Sequence, residues 1–283
     1  MKRRWKIFWT VCGITAAIGL ACCIAALALG VTAEMIEGRF PGGFGLVSGG
    51  KMSSQESYTG VRKIDMDLSA GDVEVLPTDG HEVVVETEGI SRRLGFASNM
   101  EEDELEITSK KWSIFGARKW TGKIYLYLPE EVTLEEISLG IDAGNLTVRD
   151  LWAEEFSLSV GTGNGHVENF TAREADIDCG AGMITASGCA SRTLELDCGV
   201  GEIEYTAPGT ETRYDYDVNC GVGEVRIGSR EYSGLGRSGQ VNNGMERKIK
   251  IDCGVGSVTV DFDGGAVHDQ MKGTRERHGD HRL

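Results

Sequence analysis

The sequence predicts an all-β protein: a single-domain β-solenoid of about 19 residues per rung, preceded by one transmembrane α-helix. Three observations predict it. A 12-residue pattern recurs with glycines at a fixed position, apolar and polar residues alternate on both sides of those glycines, and an uncharged apolar run lies near the N-terminus. Glycine occupies 40 of 283 positions and proline only 4, which suits many tight turns rather than a collagen or linker.

The repeat is clearest in four ungapped copies, at 137–148, 156–167, 175–186 and 194–205. Their second glycines are spaced 19 residues apart three times. Further copies at 64–75, 216–227 and 249–260 complete a glycine column: Gly71, Gly144, Gly163, Gly182, Gly201, Gly223 and Gly256. We interpret this column as a turn that requires a positive φ angle.

Each copy predicts a strand, a glycine turn and a second strand, because apolar residues alternate with polar ones. The apolar slots repeat between copies; the slot of Leu139 holds Ile177, Leu196, Val218 and Ile251. One rung alone buries too few apolar side chains to offset chain entropy, so the rungs must stack. Strands are also predicted at 82–87, 104–108 and 123–128, and a loop or hairpin around Asn242-Asn243-Gly244 within an insertion at 229–247.

The N-terminus carries a membrane signal, because basic residues precede an uncharged apolar run that is long enough to span a bilayer. Cleavage after Ala26-Leu27-Ala28 is the alternative. The excess of basic residues before the run predicts that the N-terminus is cytoplasmic and the remainder extracytoplasmic. The predicted segments are a cytoplasmic basic tip at 1–6, a transmembrane helix at 7–33, a flexible stalk at 34–57, the β-solenoid at 58–263 and a disordered polar tail at 264–283.

The repeats resemble a known family. IDMDLSAGDVEV, KIYLYLPEEVTLEEISLGIDAGNLTV and the CGVGEV and CGVGSVTV motifs are similar to the bacterial putative-adhesin family of β-strand-repeat domains, over about residues 60–262. The resemblance implies an envelope-exposed β-solenoid behind one membrane helix, in proteins linked to adhesion or envelope stress. It implies no catalytic residues.

One candidate site is a column of four cysteines: Cys179, Cys198, Cys220 and Cys253. The same slot holds Leu68, Ile141 and Val160 in other copies, and the motif lacks the Cys-x2-Cys spacing of structural zinc sites. We therefore predict buried, reduced thiols. The alternative is disulfides between adjacent rungs, because the stacking distance lies within the range for a bridge.

A second candidate is the acidic column beside the cysteines, which contains Asp178, Asp197 and Asp252. We interpret it as a solvated acidic face. The alternative is a ladder of carboxylates that binds a cation such as Ca2+. No metal or other cofactor is predicted.

A third candidate is a basic and aromatic loop within 110–120, which includes Lys110, Lys111, Trp112, Arg118, Lys119 and Trp120. We interpret its aromatic residues as a cap on the end of the solenoid, with the charges in solvent. The alternative is contact with lipid headgroups or anionic wall polymers.

Composition and motifs restrict the function. A net charge of −15 argues against nucleic-acid binding, and no phosphate-binding loop, Gly-x-Ser-x-Gly motif or paired nucleophile is found. We predict a non-catalytic, adhesin-like binding module of the cell envelope that contacts a wall polymer or a membrane-protein partner. The alternative is an envelope-stress sensor or scaffold that works through a membrane partner, and a remote one is a polysaccharide-active enzyme.

Overall fold

The computed structural model describes residues 51–110 and 122–264. The predicted basic tip, the transmembrane helix, most of the stalk and the polar tail beyond residue 264 lie outside these residues. Within them, no helix has the length and apolar character needed to span a membrane. We refer to residues 51–264 as the body.

The described residues form one 16-stranded sheet that folds round on itself. The strands are β1 (Lys51–Tyr58), β2 (Lys63–Leu68), β3 (Gly71–Thr78), β4 (Val83–Ser91), β5 (Ala97–Glu101), β6 (Glu104–Thr108), β7 (Lys123–Pro129), β8 (Leu134–Cys179), β9 (Met183–Cys198), β10 (Glu202–Ala207), β11 (Asp215–Cys220), β12 (Glu224–Ile227), β13 (Arg230–Ser233), β14 (Arg237–Val241), β15 (Lys248–Cys253) and β16 (Ser257–Phe262). Short 3-10 turns occupy Arg92–Leu94 and Glu211–Arg213. The prediction of an all-β repeat fold is confirmed.

Each rung places its first strand on one side of the stack, face A, and its second strand on another, face B. Face A runs β5-β6-β2-β8-β9-β15-β11-β14 and face B runs β1-β4-β7-β3-β8-β9-β10-β16-β12-β13. The long strands β8 and β9 continue round the corners and therefore appear on both faces. Their pairing is parallel and in register, so that Ile177 lies beside Leu196 and Cys179 beside Cys198.

The order of the rungs differs from the order of the sequence at both ends. At one end the β6-β7 rung lies outside the β2-β3 rung. At the other end the last copy, β15-β16, lies between the 194–205 copy and the β11-β12 rung. The stack of described rungs is therefore β6-β7, β2-β3, 137–148, 156–167, 175–186, 194–205, β15-β16 and β11-β12.

Antiparallel strands close both ends of the stack. On face A, β5 pairs with β6 and β14 pairs with β11. On face B, β4 pairs with β7, β1 with β4, and β13 with β12. These end strands cover the edges of the parallel rungs, which would otherwise expose unpaired backbone groups.

A short third side, which the alternation did not predict, follows each second strand of the central rungs. Residues 170–172 of β8 pair with 188–190 of β9. The chain enters this side through bends with positive φ at Asp150 (50°) and Asn169 (60°). Asparagine and aspartate tolerate this conformation better than most residues do. Phe156 and Phe170 fill the corner, with ring centroids 5.3 Å apart.

The core consists of the predicted apolar columns. Leu139, Ile177, Leu196, Val218 and Ile251 are each at most 1% exposed. All buried apolar residues of the described chain lie between Val61 and Val260, and all of them except Ala70 and Leu94 form one cluster. The body therefore has a complete core of its own.

One local prediction needs correction, and the structure adds detail to another. Residues 51–57, predicted to belong to the flexible stalk, lie in β1, which pairs with β4 through Ser57 and Val84 among others. Within the insertion at 229–247, the predicted loop around Asn242–Gly244 is present between β14 and β15. The chain also turns at Gly234–Gly236, between the unpredicted strands β13 and β14, which pair with different faces. In the Asn242–Gly244 loop, Asn243 bonds to Asp215 and to the carbonyl oxygen of Tyr214.

Candidate functional site

The turns that lead from face A to face B stack into a line along one edge of the solenoid, which we call the turn edge. Backbone hydrogen bonds join successive turns: Gly199 N donates to Cys179 O at 2.8 Å, and Val200 N donates to Gly180 O at 2.8 Å. The same pattern links Val255 N to Gly199 O and Val222 N to Gly254 O, each at 2.8 Å. The backbone of this edge is therefore as regular as the sheets.

The glycine column of the turn edge is needed for close stacking, and the prediction of positive φ is wrong for most of its members. Only Gly144 and Gly163 of the seven have positive φ, 135° and 134°. A Cβ on Gly182, Gly201 or Gly256 would instead lie under 3.0 Å from the carbonyl oxygen of the glycine in the neighbouring rung. The φ prediction fails because the limiting contact is made between rungs and not within one.

A second glycine column, which the sequence analysis did not single out, obeys the same constraint. A Cβ on Gly180, Gly199, Gly254 or Gly221 would lie 2.7–2.8 Å from a carbonyl oxygen of the adjacent turn. The sequence does contain this second column, because every Cys-Gly-x-Gly copy has both glycines. Two stacked glycine columns leave only the residue between them to carry a side chain at the crest of the edge.

The cysteine column lies directly beneath this edge. Cys179, Cys198, Cys253 and Cys220 follow one another in that order and are at most 4% exposed. The thiols of Cys179, Cys198 and Cys253 each pack under a glycine of the next turn, which is why the slot holds a small residue here. Burial, with the neighbouring thiols adding to it, raises the pKa of Cys198 to about 12. The four residues are brought together as predicted, while their redox state in the cell stays a prediction.

The crest of the turn edge carries exposed apolar side chains, which the sequence analysis missed. Val200, Val255 and Val222 are 67%, 61% and 60% exposed on three successive rungs. The tip between β13 and β14 extends the line, because Gly236 N donates to Gly221 O at 2.7 Å and the neighbouring Leu235 is 82% exposed. We call these four residues the valine ridge. The sequence did contain a signal for these exposed residues, because a valine stands between the two turn glycines in each of the three Cys-Gly-Val-Gly copies.

The acidic column borders the ridge on face A. Asp178, Asp197, Asp252 and Asn219 follow one another across four rungs, and with Arg237 they line an open groove of about 650 Å³. Asn219 Nδ2 donates to Asp252 Oδ1 at 3.0 Å. Burial, followed by the charges of Asp176, Asp252 and Asp178, raises the pKa of Asp197 to about 6.

The alternative interpretation of the acidic column as a cation ladder gains no support from this arrangement. Its carboxylates stand on successive rungs, and within 51–110 and 122–264 no group of three His, Cys, Asp or Glu side chains is placed to hold one metal ion. The acidic column acts as a line of negative charge beside the ridge.

Acidic residues also border the ridge on face B. Glu202 and Glu224 lie on either side of Ser257 in the strand register. They line a second open groove, of about 930 Å³, together with Met183, which is 42% exposed. The valine ridge therefore has carboxylates along both flanks.

The first residue of the basic and aromatic loop, Lys110, lies on the same edge at its opposite end. Of its predicted residues, Lys110 is described and exposed, while Lys111, Trp112, Arg118, Lys119 and Trp120 lie outside the described residues. Ser69 Oγ donates to Lys110 O at 2.9 Å, which fixes the start of the loop beside the first turn.

Solved structures that the chain matches include a "putative cell adhesion protein" from Clostridium sporogenes, with 13% identity, a TM-score of 0.46 and coverage of 75% of this chain and 100% of that one. A "putative adhesin" from Bacteroides fragilis has 14% identity, a TM-score of 0.36 and coverage of 74% and 96%. A "Putative lipid binding protein" from Parabacteroides distasonis has 15% identity, a TM-score of 0.22 and coverage of 75% and 97%.

No curated protein matches the chain. A family model does match it, over residues 61–266, which include every rung of the stack. This match confirms the predicted resemblance to a β-strand-repeat domain. The chain belongs to the Toastrack DUF4097 family.

Proposed function

We propose that this protein is a membrane-anchored, non-catalytic binding module of the bacterial cell envelope, which engages a macromolecular partner along its turn edge in the manner of an adhesin. The valine ridge carries the proposal. Large apolar side chains on a soluble surface mark contact sites when they adjoin one another, whereas scattered ones need no explanation. Here four of them stand in a line on neighbouring turns.

The form of the edge favours an extended partner over a small enclosed ligand. The three ridge valines are about 4.8 Å apart from one rung to the next, so the ridge is repetitive and straight. The flanking grooves are open, and carboxylates line both of them. Such an edge offers a narrow apolar contact bordered by charge, which suits a partner with apolar groups and neighbouring cations.

The sequence supports the location. Lys2, Arg3, Arg4 and Lys6 precede the uncharged segment 7–33, and the acidic body follows it. Under the positive-inside rule this charge asymmetry favours a body outside the cytoplasmic membrane. The sensor or scaffold alternative is compatible with the same topology, but it does not require an exposed ridge on the body.

The test measures binding of the fluorescently labelled body to isolated cell envelopes. A Val200→Ser, Val222→Ser and Val255→Ser variant should lose at least about tenfold in affinity, because each valine buries apolar surface on contact. Val132→Ser, at another exposed position that is 37% accessible, is the matched control and should bind normally. Equal binding of the ridge variant and the wild-type body would contradict the proposal.

A further inference from the structure

We propose that the cysteine column is a binding site for monovalent copper, which is held between the sulfur atoms of neighbouring rungs with Cys198 and Cys253 as the central pair. The inference is independent of the valine ridge and of any envelope partner. It rests on the spacing of the thiols, on the groove through which an ion can reach them and on the charges around that groove.

The sulfur atoms of the column occupy equivalent positions on successive rungs. Cys179 pairs in register with Cys198, and Cys198 with Cys253. Cys253 pairs in turn with Cys220. The sulfurs of Cys179, Cys198 and Cys253 each lie under the turn glycine of the following rung, so the three side chains point the same way. Equivalent atoms of neighbouring parallel strands are about 4.8 Å apart, and the sulfurs follow one another at about this spacing.

This spacing suits a linear metal bridge better than a disulfide. A disulfide requires Cβ atoms about 3.5–4.5 Å apart, whereas the in-register Cβ atoms of the column are separated by the full rung spacing of about 4.8 Å. With metal–thiolate bonds of about 2.3 Å, the value for zinc, a cation between two sulfurs in a straight line spans about 4.6 Å. An ion with two opposite ligands therefore fits between neighbouring rungs with little movement of the strands.

The geometry selects among the metals that bind thiolates. Zinc takes four ligands in a tetrahedron, and four sulfurs along a straight line of about 14 Å do not surround one ion. Within the described residues, no group of three potential ligand side chains is placed around one metal position. Monovalent copper prefers soft thiolate ligands, and two of them in a line satisfy it. Copper(I) is therefore the ion that the column fits.

The thiols are buried, but an open groove leads to them. Cys198, Cys253 and Cys220 belong to the lining of the groove of about 650 Å³ on face A, together with Asp197 and Asp252. Clefts lined by one sign of charge raise the local concentration of counter-ions. The carboxylates of the acidic column therefore attract a cation to the mouth of the groove without having to coordinate it.

Binding exchanges protons for metal and transfers no electrons. Two S–H bonds break, two sulfur–copper bonds form, and both protons leave to water, so that the bridged pair carries one negative charge. Burial raises the pKa of Cys198 to about 12, while backbone hydrogen bonds from Ser257 and Gly201 act in the opposite direction and favour its thiolate. Arg237, which stands opposite Cys220 in the strand register, adds a positive charge at the same groove. The ion supplies the remaining driving force, because its charge deprotonates a coordinated thiol outright.

The first experiment measures copper binding by the reduced, purified body, which has its own core. An anaerobic titration of copper(I) against a colorimetric copper(I) chelator gives the affinity, and X-ray absorption spectroscopy identifies the ligands. The body should take copper from the chelator, and each ion should have two sulfur neighbours in a linear arrangement. Failure to compete with the chelator, or nitrogen, oxygen or additional sulfur ligands on the ion, would overturn the inference.

The second experiment tests the need for adjacent thiols with variants that each lack two cysteines. Cys198→Val with Cys253→Val leaves Cys179 and Cys220 about 14 Å apart. It should lose more than the factor of about 10–100 in affinity that changes outside the ligand set cost a metal site. Cys179→Val with Cys220→Val keeps the adjacent central pair and is the matched control, which should bind one ion with nearly wild-type affinity. Valine suits the slot, because Val160 occupies it in another rung.

A third variant keeps the test decisive if the first one does not fold by circular dichroism. Cys198→Val with Cys220→Val leaves Cys179 and Cys253, which are two rung steps or about 9.6 Å apart, beyond the span of one linear bridge. It should lose affinity as the first variant does. Cys189, which lies outside the column, is present in every variant and does not account for a difference among them. Equal affinities for the adjacent and the separated pairs would overturn the inference.

Discussion

At the scale of single residues, Gly256 shows how closely the turns approach one another. It lies between Gly201 and Gly223 on the turn edge, and a Cβ there would meet both the Gly201 carbonyl oxygen and the Cys198 sulfur under 3.0 Å. Gly256 has no positive φ, so strain within its own backbone does not contribute. The requirement for glycine arises entirely from the neighbouring rung.

We therefore expect Gly256→Ala to destabilise the body by about 1–3 kcal/mol, the usual cost of overpacking a tight site. Gly80→Ala is the matched control, because a Cβ at Gly80 would have no neighbour closer than 3.5 Å and its φ is not positive. Urea unfolding followed by circular dichroism measures both. Equal stabilities for the two variants would show that the stacked turns can separate at little cost.

Asp197 makes the stability of the folded body depend on pH. Its pKa in the folded body is about 6, whereas its ordinary value is 3.8. Between these values the folded state binds more protons than the unfolded state, so stability falls as the pH rises from about 4 to 6 and is level above that. The charged carboxylate thus weakens the fold at neutral pH.

We expect Asp197→Asn to raise the free energy of unfolding by about 1 kcal/mol at pH 7.5, after allowance for solvent screening of a half-exposed group. The gain should shrink at pH 4.5, where the wild-type side chain is largely protonated in the folded state and its charge no longer weakens the fold. Asp79→Asn, in an exposed turn, controls for the loss of charge alone. A gain of the same size at both pH values would contradict the assigned cause.

At the scale of elements, the position of β15 has an electrostatic reason. Lys250 lies between Glu195 of β9 and Asp217 of β11 in the strand register, and its ammonium group bonds to Glu195. Lys248 Nζ donates to Asp217 at 3.1 Å. If β11 lay directly on β9, as the order of the sequence suggests, Asp217 would face Glu195. Like charges directly opposite one another destabilise a strand pair.

We expect Lys248→Glu with Lys250→Glu to destabilise the body by about 1–2 kcal/mol at low salt, from the loss of two cross-strand ion pairs and the new repulsion. Adding Glu195→Lys should recover part of that loss, because an opposite-charge pair returns beside position 250. Urea unfolding at low and high salt measures the series. No loss in the double variant, or no recovery in the triple variant, would show that connectivity alone sets the order.

At the scale of the whole molecule, the sequence predicts one cytoplasmic tip, one span and an extracytoplasmic body. Protease added to intact cells should remove the body and leave a fragment that contains residues 1–33, because the charge asymmetry orients the span. A reporter fused to the N-terminus should stay protected and provides the internal control. Protection of the body in intact cells with an active protease would contradict this topology.

The body combines regular central rungs with irregular strands at the two ends of the stack. Its columns repeat from rung to rung, so each rung buries the next and the core is continuous. The end strands β1, β4, β5, β13 and β14 do not repeat the pattern and run antiparallel to their neighbours. Termination of the stack is therefore encoded by segments that differ from the repeat, as a solenoid needs for solubility.

The sequence by itself determined the strands of the repeat copies, their inward residues and their registers. Leu196 and Ile251 occupy equivalent slots in their copies and lie side by side in the structure, because alternation decides which side chains face the core. The family was also within reach of the sequence, since the glycine spacing and the Cys-Gly-x-Gly copies are distinctive. These features are local, and each rung specifies them for itself.

Only the tertiary structure decided the order of the rungs, the reason for the glycines and the line of exposed valines. Rungs with the same apolar columns can stack in more than one order, and the choice depends on contacts between them, such as that of Lys250 with Glu195. The spacing of Gly201 from Gly256 across the stack is likewise a contact between segments far apart in the chain. The repeat pattern predicts the fold of a single rung, but it does not predict which rungs are neighbours in the stack.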